Sequence, residues 1–382
     1  MRDFTYYNPT RIEFGKGKEN NIGQYISEYG VSKVLIVYGS ERIKKNGLFD
    51  AVAKSLSDKG ISYEELGGVV SNPVLSKVYE GVELAKSTKV EAVLAIGGGS
   101  VLDSSKAIAA GAMYEGDVWD FFTFKAFANQ ALKIFDIMTL AATGSEMNNF
   151  AVVTKEETKE KFSLGGSATF PTVSVINPEL QASVTKDYLV YSAADIFAHT
   201  LDMYFSAAYI PEFILAHSEN ILNTVVRTTN ILLKDADNYE ARAEFAWAAT
   251  QALNFSTFCG VEANRFDTHF IEHTLSAEYN IAHGAGLSIV VPAWMKWQKD
   301  NLPERFERFA QKVFNVEGAD ASIDALIDWY KEIGTPVTLT EGKIPNEDIP
   351  RLVKLLLPLG AMWGAEQLYT KEMITAVLEN AK

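Results

Sequence analysis

The chain holds five histidines, all between residues 199 and 283, and four of them, His199, His269, His273 and His283, stand in motifs that could converge. His199 stands four residues after Asp195 in A-A-D-I-F-A-H-T-L, and His273 stands four after His269 in H-F-I-E-H. Both segments have helical composition. Positions i and i+4 share one helix face, so each pair can converge on one point. Three imidazoles and a carboxylate make a good site for a divalent first-row metal. One such pair reads most simply as scattered surface or core histidines. Two pairs, followed by His283 in H-G-A-G, favour a metal site. His217, in L-A-H-S-E, has no partner at this spacing and reads as structural.

A second stretch bears on a cofactor. Gly97-Gly98-Gly99-Ser100 follows the apolar run V-E-A-V-L-A-I and opens a helical segment. Glycines let a ligand approach the backbone, and a helix N-terminus offers free N–H groups and a positive dipole to a phosphate. The loop is neither a Walker A sequence nor G-x-G-x-x-G. Alone, a tight structural turn explains it about as well. Beside a metal site with no organic reactant, it suggests a dinucleotide. Asp103 lies in the first turn of that helix, where it can also stabilise the N-terminus. After the first strand come Gly39-Ser40-Glu41-Arg42 and then Lys44-Lys45. A carboxylate there binds the ribose 2′-OH of NAD, and a cation accommodates the 2′-phosphate of NADP. Three cations lean towards NADP, with NAD possible through Glu41; a solvated charge run is the plain alternative.

The elements that must position these groups fall into two kinds. The short apolar run at 34–37 and the segments at 61–66, 90–96, 134–140, 150–154, 162–165 and 173–176 read as strands. Helical periodicity fills 43–59, 74–88 and 101–111, and residues 4–14 read as an edge strand or hairpin. Strand–helix alternation predicts a parallel, doubly wound sheet with helices on both faces. From about residue 186 long amphipathic stretches replace strands, which predicts a mainly helical half with a boundary near 181. The expected domains are a dinucleotide-binding α/β domain at 1–181 and an all-helical metal-binding domain at 182–382.

A net charge of −14 argues against nucleic acid or an anionic membrane as partner. No apolar run reaches the length of a membrane span, and the N-terminus lacks the apolar core of a signal peptide. Cys259 is the only cysteine, so no internal disulfide or thiolate cluster is available and a cytoplasmic setting is the default. In S-T-F-C-G it reads as packing rather than as a nucleophile.

The motifs together resemble the iron-containing (group III) alcohol dehydrogenase family, especially its butanol-dehydrogenase-like branch, over essentially the whole chain. The resemblance is carried by Y-G-S-E-R-I-K-K-N-G at 38–47, S-N-P at 71–73 and G-G-G-S-V-L-D-S-S-K at 97–106. It continues in T-L-A-A-T-G-S-E-M-N at 139–148, I-N-P-E-L at 176–180 and A-A-D-I-F-A-H at 193–199. H-F-I-E-H-T-L-S-A-E-Y-N-I-A-H-G-A-G-L at 269–287 keeps the family's spacing between three histidines. It implies a dehydroquinate-synthase-like fold: an α/β N-terminal Rossmann-like parallel sheet plus an all-α C-terminal domain. It carries the metal-ligand role onto Asp195, His199, His269 and His283, with Fe2+ or Zn2+ as the ion. His273 matches the family's non-ligand histidine beside the substrate and would relay a proton. Cofactor contacts carry onto Gly39, Ser40, Asn72, Gly99, Ser100, Asp103, Thr139, Thr143, Asn148, Lys161 and Leu180. The implied reaction is hydride transfer between NAD(P)H and a primary alcohol or aldehyde such as butanol or butyraldehyde. A homodimer is expected, built on the aromatic N-terminal strand.

Two departures stand out. Gly39-Ser40-Glu41-Arg42 replaces the branch's Gly-Gly-Gly-Ser, which bears on cofactor choice. N-R-F-D-T at 264–268 replaces Gly-Asp-Trp-Ala-Thr, which bears on pocket shape; Phe150, Phe258 and Phe266 are candidate pocket aromatics. Competing readings are an H-x-x-E-H zinc peptidase with Glu272 activating water, a glycerol-dehydrogenase-like polyol oxidoreductase on the same fold, and a non-catalytic metal store.

Overall fold

A computed structural model describes residues 1–263, 265–362 and 364–382. The N-R-F-D-T departure begins at Asn264, which lies outside the described residues. The chain divides into two compact units. One comprises Tyr7–Val184 and Ala236–Asn254, the other Met1–Tyr6, Thr185–Asp235 and Phe255–Lys382. A single cut at 181/182 therefore differs from the observed division. The segment around the helix Tyr239–Ala252 returns to the first unit, where the Arg242 guanidinium donates to the Gln181 carbonyl at 3.0 Å.

The first unit is built on a six-stranded parallel sheet. Its strands are β1 (Arg11–Phe14), β2 (Lys33–Tyr38), β3 (Ser62–Leu66), β4 (Ala92–Gly97), β5 (Lys133–Met138) and, later in the chain, one at Val173–Ile176. Between the last two lies an antiparallel pair, β6 (Phe150–Lys155) and β7 (Glu160–Gly165), which makes Val173–Ile176 strand β8. The order across the sheet is β1-β8-β5-β4-β2-β3. β4 is buried at every position, as expected of a parallel strand covered on both faces. From β2 the chain steps to β3 on one side and then crosses to β4 on the other, so the switch point lies between β2 and β4. Ligands in such sheets bind beyond the carboxyl ends of the strands at that point.

The helices of this unit are α1 (Ile22–Ser27), α2 (Arg42–Lys45), α3 (Leu48–Ser57), α4 (Leu75–Thr88) and α5 (Gly99–Ala112), and the returning helix is α8. Phe49, Val52 and Leu56 of α3 pack with Val34, Ile36 and Leu94 of the sheet. The periodicity over 43–59 is interrupted, because Gly47 takes φ +82° and splits the stretch into α2 and α3. The expected strand at 4–14 is reduced to 11–14. It is no hairpin: β1 lies parallel to β8, with Arg11 opposite Val173.

The second unit is helical: α6 (Lys186–Ser206), α7 (Glu212–Leu232), α9 (Asp267–Tyr279), α10 (His283–Gln298), α11 (Pro303–Phe309), α12 (Ala319–Ile333), α13 (Ile349–Met362) and α14 (Lys371–Asn380). Thr185 caps α6 by accepting from the Tyr188 amide at 3.4 Å. α6 is buried along most of its length and serves as the central post. A Cβ on Gly284 would run into the Tyr191 carbonyl, so only glycine lets α10 begin directly against α6. No described helix is long and apolar enough to cross a membrane.

Candidate metal centre and nucleotide-binding loops

In the helical unit, α6 supplies Asp195 and His199, α9 supplies His269 and His273, and the first residue of α10 is His283. Asp195, His199 and His269 are buried, and one donor atom from each lies within 4.8 Å of the others. The Asp195 Oδ1 stands 3.6 Å from the His199 Nε2, 3.8 Å from the His269 Nε2 and 3.6 Å from the His283 Nε2. A tetrahedral site with bonds of about 2.1 Å has donor–donor edges of about 3.4 Å. The His199 and His269 rings stack at 4.7 Å. Each of the three imidazole nitrogens thus faces the Asp195 oxygen although the residues span three helices; His283 also groups with Glu272 and His273.

The separations are too long for hydrogen bonds. Asp195 Oδ1 and His269 Nε2 are both buried and have no hydrogen-bond partner among the described residues. A buried polar group left unmet costs about 1–3 kcal/mol, and a divalent cation among these atoms would satisfy them together. The donor set of three imidazoles and one carboxylate fits such an ion. The charges are strongly coupled. Burial raises the Asp195 carboxyl, but the facing imidazoles, His199 foremost, outweigh it and hold the group well below the usual carboxylate range. Burial drives His199 down to about 3 despite the pull of Asp195. Burial opposes the His269 imidazolium too, yet the carboxylates of Asp195 and Asp202 carry it up to about 9.

His273 lies beside this cluster, its ring 6.2 Å from that of His269 and 5.6 Å from that of His283. Phe266 meets the His269 ring edge-on at 5.6 Å, and Phe258 packs on Phe266 at 5.9 Å. Of the three candidate pocket aromatics, Phe266 therefore adjoins the centre and Phe258 backs it, while Phe150 sits on β6 of the other unit. His217 faces Ser256 at 3.3 Å, and the Cys259 thiol reaches the Phe255 carbonyl at 3.7 Å. Glu272, a candidate water-activating base in the peptidase reading, has zero exposure and is bonded to the His283 Nδ1 and the Ser276 hydroxyl. Asp202, which the sequence reading passed over, receives the His269 Nδ1 at 2.6 Å. Its signal was available: it follows His199 by three residues and Asp195 by seven, on the same stripe of α6.

In the sheet unit the expected nucleotide residues gather at strand ends. Gly39 and Ser40 follow β2, Gly99 and Ser100 begin α5 after β4, and the Thr139 amide donates to the Gly97 carbonyl at 2.8 Å. These loops flank the switch point. A Cβ on Gly99 would stand 2.5 Å from the Thr143 methyl, so the glycine is required by this close approach. The Lys161 ammonium donates to the Asn72 side chain at 3.1 Å. Leu180 packs against the sheet's core. Asp103 and Asn148 are committed to the protein. Asp103 accepts from the Ser145 hydroxyl at 2.8 Å and the Val152 amide at 3.0 Å. The Asn148 Oδ1 accepts from the Phe150 amide at 2.9 Å, and its Nδ2 donates to the Thr143 carbonyl at 3.3 Å. Lys106, also unmarked by sequence, is fully buried beneath this loop. In the charge run, Lys44 pairs with Glu65 at 2.7 Å and Glu41 at 3.6 Å, and Arg42 donates to the Ser183 carbonyl at 3.0 Å.

Comparison with known proteins gives one consistent picture. The family described as "Iron-containing alcohol dehydrogenase" matches residues 9–178, and "Fe-containing alcohol dehydrogenase family, C-terminal" matches 189–382. A protein named probable NADH-dependent butanol dehydrogenase 1 from Bacillus subtilis is 37% identical, with 99% of each chain covered. NADH-dependent butanol dehydrogenase A of Clostridium acetobutylicum is 38% identical over 93% of this chain and 92% of its own. The crystal structure of NADH-dependent butanol dehydrogenase A from Thermotoga maritima superposes with a TM-score of 0.97 at 45% identity, covering 100% of this chain and 99% of the other. Neither the peptidase nor the glycerol-dehydrogenase-like reading is favoured by these relatives.

Proposed function

The chain belongs to the iron-containing alcohol dehydrogenase family, and on that premise we propose that it interconverts butanol and butyraldehyde, or a primary pair of similar size, using NAD(H) and a divalent ion held by Asp195, His199, His269 and His283. The observation that carries this reading is the ring of three imidazole nitrogens 3.6–3.8 Å from one unpartnered carboxylate oxygen. The ion, iron or zinc, would supply Lewis acidity to the carbonyl oxygen, and the reduced nicotinamide would supply the hydride. His273, one helical turn from His269, would hand a proton to the nascent alcohol and take it back in reverse. Phe266 and Phe258 offer an apolar wall, which favours an alkyl chain over a polyol.

Gly39, Ser40, Asn72, Gly99, Ser100, Thr139, Thr143, Lys161 and Leu180 would receive the dinucleotide, with Asp103 and Asn148 holding its loop in shape. The charge run leans towards NADP when read as sequence. In the fold Lys44 is neutralised by Glu65 and Glu41, and Arg42 is turned onto a backbone carbonyl. That weakens the seat for a 2′-phosphate, with Lys45 left exposed, and supports NAD(H), as do the names of the relatives at 37–38% identity. A cytoplasmic homodimer completes the proposal. β1 is an edge strand, and the preceding Phe4, Tyr6 and Tyr7 expose aromatic surface.

The test is a panel of linear aldehydes assayed with NADH and NADPH, before and after chelation and with iron or zinc restored. Metal-dependent butyraldehyde reduction is expected, with kcat/KM at least about tenfold higher for NADH, roughly the effect of one misplaced charge. A preference for NADPH would refute the cofactor assignment. Full activity after the metal is stripped would refute the centre.

A further inference from the structure

Two imidazoles of the metal centre turn their second nitrogens onto carboxylates that have no exposure to solvent. The His269 Nδ1 lies 2.6 Å from Asp202, and the His283 Nδ1 is bonded to Glu272. Asp202 is itself tied down. It also accepts from the Thr268 amide at 2.9 Å, the Thr268 hydroxyl at 2.8 Å and the His269 amide at 3.3 Å, so it occupies the N-terminus of α9 while holding the ring of the same histidine. Glu272 also receives the Ser276 hydroxyl. A Cβ on Gly286 would sit 2.6 Å from the Glu272 Oε1, so the second glycine of H-G-A-G makes room for this carboxylate. His199 differs: its Nδ1 is buried and has no hydrogen-bond partner among the described residues, and its ring is held by stacking on His269.

We infer that Asp202 and Glu272 are positioning residues that fix His269 and His283 as Nδ1–H tautomers with Nε2 aimed at the ion, whereas His199 is placed by packing alone. The inference rests on the metal reading above. A neutral imidazole offers one lone pair, and a carboxylate on the other nitrogen decides which nitrogen that is, sets the ring plane and raises its basicity. Two anions just behind the ligands also favour a dication over water in the same space.

Zinc affinity of the full-length, metal-stripped protein, measured by competition with a chromogenic chelator, tests this without recourse to turnover. D202N and E272Q should each weaken zinc binding about 10–100-fold. S276A, which removes a hydrogen bond to Glu272 but keeps the carboxylate, should change it less than about threefold. In spectra of the zinc-loaded, 15N-histidine-labelled wild type, His269 and His283 should be metal-bound through Nε2 and protonated on Nδ1. That measurement decides the matter even if a variant fails to fold. Zinc coordination through Nδ1 at either residue, or folded D202N and E272Q with wild-type affinity, overturns the inference alone. A wild type that takes up no zinc overturns the metal reading and this inference together.

Discussion

A ligand histidine must give its lone pair to an ion, while a proton-transferring histidine must keep one nitrogen available to substrate. Asp195, His199 and His269 are buried with their donors turned on one another; His273 is only partly buried and adjoins the cluster. The two kinds of histidine should therefore separate in a mutant pair. H273A is expected to lower kcat about 100-fold or more, the usual worth of a general acid, with zinc content unchanged. H283A is expected to lose both. Equal metal loss in the two variants would make His273 a ligand. The convergence of these five residues was legible in the sequence, because two pairs stand at helical spacing and the family motif spans them. Asp202 and Glu272 were not singled out as positioning groups. An acidic residue inside an apolar helix announces burial, but its partner is fixed only when α6, α9 and α10 are packed together.

The element that holds the proposed nucleotide loop is α5, and its unusual feature is Lys106. The ammonium donates to the carbonyls of Ser145, Asn148 and Phe150 at 2.8, 2.9 and 2.8 Å, to the Ser145 hydroxyl at 2.7 Å and to the Asn148 Oδ1 at 3.2 Å. One side chain thus gathers the segment between β5 and β6 onto α5. Burial pushes its pKa down to about 8, against the pull of Asp103, Asp136 and Glu146. K106M keeps much of the volume but leaves the buried carbonyls of Ser145, Asn148 and Phe150 without their donor. A buried acceptor left unmet costs about 1–3 kcal/mol, so the urea midpoint should fall and the KM for NADH should rise. A stable K106M protein with a wild-type NADH KM would show that the loop holds itself. In sequence, S-S-K-A-I-A-A-G looks like an ordinary helix with one solvated lysine. β2 and β4 were legible because parallel strands covered on both faces are nearly continuous apolar runs. What covers α5 was not, since β6 and the 145–150 segment reach it from far along the chain. The break at Gly47 escaped notice for a related reason: hydrophobic spacing continues across it while the backbone does not.

At the scale of the whole chain, chemistry is divided by unit. Every residue proposed to touch the dinucleotide lies within Tyr7–Val184, and every proposed metal donor lies in the helical unit. The two sets share no residue, and each is positioned by elements of its own unit: the glycine loops by β2, β4 and β5, the donors by α6, α9 and α10. If the two sites do not couple, changes in them are additive to within about 0.3–0.5 kcal/mol. Lesions should therefore dissociate. H199A, or wild type stripped of its metal, should bind NADH with an affinity within about twofold of the metal-loaded protein, read by quenching of intrinsic fluorescence, while turnover is lost. G99V forces a side chain onto Thr143 and should abolish NADH binding while leaving zinc stoichiometry intact. Each variant would be inactive for a different reason, and mixing the two inactive proteins should restore nothing if one chain must supply both halves. Recovery of activity in such a mixture would mean that ion and nicotinamide can come from different chains of an assembly. Loss of NADH binding on chelation would mean that the ion helps to build the nucleotide site as well as the metal centre.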